Sequence, residues 1–299
     1  MQPPDAGAVL LQRLQQHQGM RPDPVLQQRV QQALDDIASE RRQAAPAPAT
    51  ADLSTLAPGQ PGWQNFLDRV LVPETWFRRD AGALAALAAK LGAAPRPAQR
   101  LRVLCAPCST GEEPLSVALL LRDLGWPDDA FSVHGIDLSQ TSIAAARGGH
   151  YRSHAFRGVD PVWRERHFMP CAEAQRWQLR QPLPAASLQF EQVDVFALER
   201  PALPWDVVFC RNLLIYLEQA VRVRLLGHLR GLCRDDGLLF VGHAEVGLLH
   251  DAGLVALTTP MSFGYQNRLR TSVRQPARPA AASAPAPRST PTPSRPVPL

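Results

Sequence analysis

The chain has 299 residues, 45% hydrophobic and 20% charged, with a net charge of +5; this is an ordinary soluble composition, long enough for a full core plus a smaller domain. No apolar run approaches the roughly 18 to 20 residues that span a bilayer, and the start MQPPDAGAVLLQRLQQHQ lacks a basic segment followed by an apolar core, so the expectation is a cytoplasmic protein with no membrane insertion. Five cysteines, an odd number, argue against a disulfide framework, and the charge is too small to argue for nucleic acid.

Residues 7–42 read as two helices. Val9, Leu10, Leu11 and Leu14 make one apolar face, and Val25, Leu26, Val30, Leu34 and Ile37 make a second at spacings of three and four. Gly19, Pro22 and Pro24 separate them. Residues 43–62, QAAPAPATADLSTLAPGQPG, read as a linker. A short helix over 63–71 leads to VPETWFRRD, where a domain boundary is expected: a helical domain plus linker over 1–72, then a main domain over 73–270. From about residue 82 the pattern alternates. ALAALAAKLG is a helix, LRVLCAP a strand, EEPLSVALLLRDLG a helix, FSVHGID a strand and SQTSIAAARGG a helix. LQFEQVDVF is a third strand, WDVVFCRN a fourth, QAVRVRLLGHLRGLC a helix and GLLFVGH a fifth strand. LVALTTPMSFGYQNR fits a closing antiparallel pair. Such alternation predicts an α/β fold, a parallel sheet covered by helices on both faces. Residues 148–190 interrupt it with Tyr151, Phe156, Trp163, Phe168 and Trp177 among many charges, which fits helices with a small β subdomain. Residues 271–299 hold eight prolines, four arginines and no acid, and are expected to be a disordered tail or linker.

Open parallel sheets bind ligands at the carboxyl ends of their strands. The first strand is followed by Cys108 to Glu113, the second by Asp137, the third by Asp194, and the fourth by Arg211, Asn212 and Tyr216. The first loop has one glycine, Gly111, rather than G-x-G-x-x-G, so it offers a tight turn but a poor phosphate cradle. Glu112 and Glu113 read either as ordinary first-turn acids or as a site for a cationic ligand. Asp137 reads as a ribose acceptor or as a cap for the helix near Ser139. Asp194 reads as an acceptor for an adenine amino group or as a turn acid. A positively charged nucleoside among acids fits S-adenosylmethionine better than NAD. Cys105-Ala-Pro-Cys108 has the look of a redox pair, but the glutamates that follow would raise a thiol pKa rather than lower it. No second C-x-x-C or H-x-x-x-H completes a zinc site, so no metal is expected.

VPETWFRRD, CSTGEEPLSVALLL, GIDLSQTSIAAARGGHYR, DVVFCRNLLIYL and GLLFVGHAE, in this order, resemble the blocks of the CheR-type chemotaxis receptor methyltransferases over roughly residues 5–270. The resemblance implies a Rossmann-like class I S-adenosylmethionine-dependent methyltransferase with a small N-terminal all-α domain and a small β subdomain. It implies methylation of glutamate side chains on the cytoplasmic helices of methyl-accepting chemoreceptors, with S-adenosylhomocysteine as the other product. By motif, Thr75, Arg79, Glu113, Asp137, Asp194, Val195, Arg211 and Asn212 would contact the cofactor, with Arg79 and Tyr216 nearest the transferred methyl. Pro73 stands where the family often has Asn, and Arg78 where it often has a second aromatic. The VPETW form resembles the branch that controls outputs other than swimming, some members of which carry tetratricopeptide repeats after a Pro-rich linker.

The chemistry agrees with the residues. A glutamate carboxylate is already ionised at neutral pH, so no general base is needed, and none is apparent. Arg79 would clamp the carboxylate in a bidentate fork. The competing readings are a non-catalytic S-adenosylmethionine-binding signalling partner and a small-molecule or nucleic-acid methyltransferase. RNLLIY stands where amino-methylating enzymes place N-P-P-Y or D-P-P-Y, against the latter. A monomer is expected.

Overall fold

The strand residues predicted from apolar runs assemble into one seven-stranded sheet. In the computed structural model, residues 5–43, 53–93, 99–172, 175–249 and 254–268 are described. The helices are α1 (Ala6–Gln18), α2 (Pro24–Gln43), α3 (Trp63–Val70), α4 (Ala81–Ala93), α5 (Glu112–Asp123), α6 (Gln140–Gly148), α7 (Pro161–His167) and α8 (Gln219–Leu232). The strands are β1 (Leu101–Cys105), β2 (Phe131–Asp137), β3 (Tyr151–Arg152), β4 (Phe168–Pro170), β5 (Arg176–Leu179), β6 (Leu188–Gln192), β7 (Trp205–Cys210), β8 (Cys233–Val241), β9 (Leu254–Ala256) and β10 (Gly264–Asn267). The sheet runs β6-β2-β1-β7-β8-β10-β9. Its first five members are parallel, and β10 and β9 close it antiparallel. This is the expected mixed α/β, Rossmann-like architecture.

Register explains why the central strands are apolar throughout. Val103 pairs with Val133 on one side and Val207 on the other. Leu101, Val103 and Cys105 pack with Val207 and Phe209 against α4, α5 and α6, while Leu104, Val208 and Cys210 pack on α8. Both faces are covered, so alternation of polar and apolar residues is lost. The strand order switches between β1 and β7, with β2 and β6 beyond β1 on one side and β8 beyond β7 on the other, which opens a crevice at their carboxyl ends.

A second, three-stranded sheet, β3-β5-β4, lies within residues 148–190, but β6 belongs to the main sheet, so the excursion ends before residue 188. Its aromatic residues gather around Phe77, whose ring centre lies 4.8 Å from Tyr151, 4.8 Å from Phe156 and 4.9 Å from Phe168.

Three expectations need correction. The predicted linker over 43–62 is not unstructured where it is described: Leu53–Thr55 is a short 3-10 helix, Leu56 is buried among the N-terminal helices, and Arg13 donates to the carbonyls of Ser54 and Leu56. Composition misled because two leucines suffice to anchor a Pro-rich segment. Val25 is 54% exposed rather than part of the apolar face. The third strand ends at Gln192, and Asp194 caps a short 3-10 helix beyond it. The predicted tail over 271–299 lies outside the described residues. Among the described residues, no helix is long and apolar enough to cross a membrane.

The N-terminal helices dock on the segment after β7. Met20 bridges Leu217 in antiparallel fashion. Arg21 N–H donates to the Tyr216 carbonyl at 2.8 Å and Glu218 N–H to that of Gly19 at 2.9 Å. Gly19 has φ +64°, and a Cβ there would lie 2.6 Å from the Val221 side chain. The left-handed turn and the close approach both demand glycine.

Candidate active site

Thr75, Arg79, Glu113, Asp137, Asp194, Val195, Arg211, Asn212 and Tyr216 all line one cleft at the carboxyl edge of the main sheet. Pro73 and Arg78, the two departures from the family pattern, do not line it.

The loop after β1 turns at Gly111, where φ is +93° and a Cβ would lie 2.9 Å from Ala146 Cβ. Only glycine lets the start of α5 approach α6 this closely. The two acids that follow diverge. Glu112 is buried away from the cleft lining, and its Oε2 accepts the Thr110 hydroxyl at 2.7 Å. Glu113 faces the cleft, and its Oε2 accepts from Arg211 Nη1 at 2.6 Å. Arg211, 5% exposed, also pairs with Asp80 through Nη2. Glu113 Oε1 and Arg211 Nε are buried without a hydrogen-bond partner. Burial pushes Glu113 above the ordinary carboxylate range, with Arg211 pulling it back. Burial also opposes the charge on Arg211, but Glu113 and Asp80 outweigh it and hold the guanidinium above its ordinary value. An orphaned acceptor beside an orphaned donor suits a zwitterion with an ammonium and a carboxylate.

At the end of β2, Asp137 Oδ2 accepts from Ser109 N–H at 2.8 Å and Oδ1 from Ser139 N–H at 2.9 Å. Ser139, not Asp137, is the N-cap of α6, its hydroxyl accepting from Ser142 N–H. The two backbone bonds orient the Asp137 carboxylate and leave lone pairs free. Burial raises its pKa. Asp194 Oδ1 accepts from Phe196 N–H at 2.9 Å, so its turn-acid role is real and uses one oxygen.

The loop after β7 owes its shape to a residue that the sequence reading did not single out. Glu245, fully buried, accepts from the N–H groups of Gly242 at 2.6 Å, Asn212 at 2.9 Å and Leu214 at 2.7 Å. Asn212 has φ +61°. The only local signal was the acid closing GLLFVGHAE. Asp80 was missed as well, as were His17, Gln18 and Arg29 of the N-terminal helices and Met20 between them, which form one wall of the cleft. The Arg29 guanidinium stands 5.4 Å from the Tyr216 ring centre. Arg79 is partly buried, and burial, followed by repulsion from Arg211, lowers its pKa.

Cys105 and Cys108 are both buried, and burial pushes each thiol well up, opposite to a redox pair. Among the described residues, no group of His, Cys, Asp and Glu could hold a metal ion.

Known proteins are similar to much of this chain. The chain is 40% identical over 205 residues to the probable biofilm formation methyltransferase WspC of Pseudomonas putida, covering 68% of this chain and 48% of that one. It is 36% identical to the protein of the same name in Pseudomonas aeruginosa, covering 75% and 54%. It is 33% identical to the chemotaxis protein methyltransferase of Escherichia coli, covering 61% and 64%. The chain therefore spans about half the length of the two Pseudomonas relatives. The CheR methyltransferase SAM-binding domain matches residues 73–254, more than half of the chain, and the chain belongs to that family.

Proposed function

We propose that the chain methylates glutamate side chains on the cytoplasmic helices of methyl-accepting chemoreceptors, giving glutamate methyl esters and S-adenosylhomocysteine. The carrying observation is the buried, unpartnered pair Glu113 Oε1 and Arg211 Nε, in the cleft that also holds Arg79 and Tyr216. That pair fits the amino-acid end of S-adenosylmethionine, which supplies the activated methyl group. Asp137 is left with lone pairs for ribose hydroxyls, and Asp194 and Val195 stand where an adenine edge would lie. Thr75, Arg79 and Asn212 complete the wall around the cofactor.

The substrate carboxylate arrives ionised and needs no base. Arg79 orients it through the guanidinium fork, and Tyr216 directs its hydroxyl to the same region. Arg79 keeps the carboxylate in place without neutralising it. Positioning of this kind supplies about 7 to 11 kcal/mol in favourable cases. Kinship with relatives named for biofilm formation supports a pathway with an output other than swimming. The same reading divides the chain into 1–72, 73–270 and 271–299 and makes it a monomeric cytoplasmic enzyme.

The test is transfer of radiolabelled methyl from S-adenosylmethionine to cytoplasmic receptor fragments, with Arg79→Ala in parallel. Alkali-labile label that is lost in the variant is the expected result. Cofactor binding without label on any receptor would leave a non-catalytic signalling partner instead.

A further inference from the structure

Arg79 has a visible cause for its place. Its guanidinium carbon stands 4.1 Å from the centre of the Trp76 ring, and Nη1 donates to the Glu74 carbonyl at 2.9 Å. The same ring carries a second guanidinium, that of Arg157, at 3.8 Å. Arg157 Nη2 also meets Glu74 Oε1 at 2.9 Å. Arg157 is set by its neighbour Phe156, which stacks on Phe77 with centroids 4.8 Å apart. Phe77 N–H donates to the Ala155 carbonyl at 2.8 Å. Residues 74–77 and 155–157 therefore run side by side, joined by a backbone bond, a ring stack, a cation on a ring and an ion pair.

Charges act on the Arg79 guanidinium in opposite senses. The charge of Arg211 repels it, and the carboxylates of Asp80, Glu74 and Glu113 attract it. An aromatic face offers a different kind of attraction. It engages the plane of the guanidinium and leaves the in-plane N–H groups for a carboxylate. The Trp76 ring can serve only if it is itself held, and Arg157, itself paired with Glu74, lies against it.

We propose that Trp76 and Arg157 are positioning residues for Arg79, so that the 3-10 turn Ser153–Phe156, which Arg157 closes, sets the orientation of the guanidinium in the cleft. Only the effect on ligand binding rests on the function proposed above; the orientation itself does not.

The first measurement needs no ligand. In the full chain, the Arg79 Nε–H resonance is assigned by its loss in Arg79→Lys and followed in Arg157→Ala and Arg157→Lys. Arg157 has a side chain 43% exposed, so its removal leaves the core of the small sheet intact. The resonance should move in Arg157→Ala and move less in Arg157→Lys; an unmoved resonance overturns the proposal. The second measurement is S-adenosylhomocysteine binding by calorimetry. Arg157→Ala should weaken it about 3- to 10-fold, the range of a partly exposed cation–π contact. In an Arg79→Ala background the same change should cost less than about 2-fold. Equal weakening in both backgrounds would mean a general structural effect and would also overturn the proposal. If S-adenosylhomocysteine fails to bind the unaltered chain, the cofactor reading falls, and the resonance still decides this one.

Discussion

Two segments flank the cleft and are held by different means. The loop after β7, residues 211–216, is fastened by one buried carboxylate, Glu245, which accepts from the backbone N–H groups of Asn212 and Leu214 and, on its own turn, of Gly242. The segment over 74–80 is held by side chains: Phe77 in its aromatic nest, Trp76 between arginines, and Asp80 on Arg211. A carboxylate that satisfies several buried donors works almost all or none, because each orphaned N–H costs its full desolvation. An aromatic nest loses contacts by degrees. One side of the cleft should therefore fail sharply and the other gradually.

The largest effect is expected at the sharp side. Glu245→Ala orphans two buried N–H groups, at about 1 to 3 kcal/mol each, and a partly buried third, and should abolish cofactor binding while lowering stability in urea titrations. Stability and binding equal to the unaltered chain would erase the contrast. On the graded side, Phe77→Ala should cost about 3 to 5 kcal/mol, and Phe77→Leu distinctly less, by the same titration. Between the two segments, Glu113→Gln should keep the fold and weaken S-adenosylmethionine binding about 10- to 100-fold in calorimetry, the loss of a charge-assisted bond.

That last change also predicts a pH dependence. Burial raises Glu113 above the 4.5 of an ordinary glutamate. A bound ammonium needs the ionised form, so affinity is present above the raised value and lost as pH falls through it. Binding measured from pH 7 downward should decline above pH 4.5, and the Glu113→Gln variant should lack this part of the decline. The smallest effect is expected for Arg78→Phe. Arg78 lies outside the cleft lining, with its guanidinium 5.3 Å from the Trp163 ring centre. Methyl transfer should stay within about 2-fold, as for a substitution away from shared partners. A large gain or loss would mean that the second aromatic of the family serves the reaction directly.

Legibility followed the range of the interactions. The strands and helices could be read because β1, β2 and β7 are continuous apolar runs and α5 and α8 carry apolar faces, all local signals. The acids at strand ends could be read because a parallel sheet delivers strand ends to one edge. Glu245 could not, because its partners sit 31 and 33 residues away and on a separate turn. Nor could Leu56, which joins a cluster drawn from α1, α2 and α3 while its neighbours read as a linker. The choice between Glu112 and Glu113 was likewise open in sequence, since one residue of helix rotation decides which acid meets Arg211.

The bridge between Met20 and Leu217 bears on what counts as the working unit. The family match begins at residue 73, yet Met20, Arg21 and Gly19 grip the very turn that presents Tyr216. A chain trimmed to the matched stretch would turn a walled cleft into an open trough and leave Tyr216 on an unsupported edge. Recombination between family members should therefore succeed when the first two helices travel with the β7 turn they clasp, and fail when a crossover parts them.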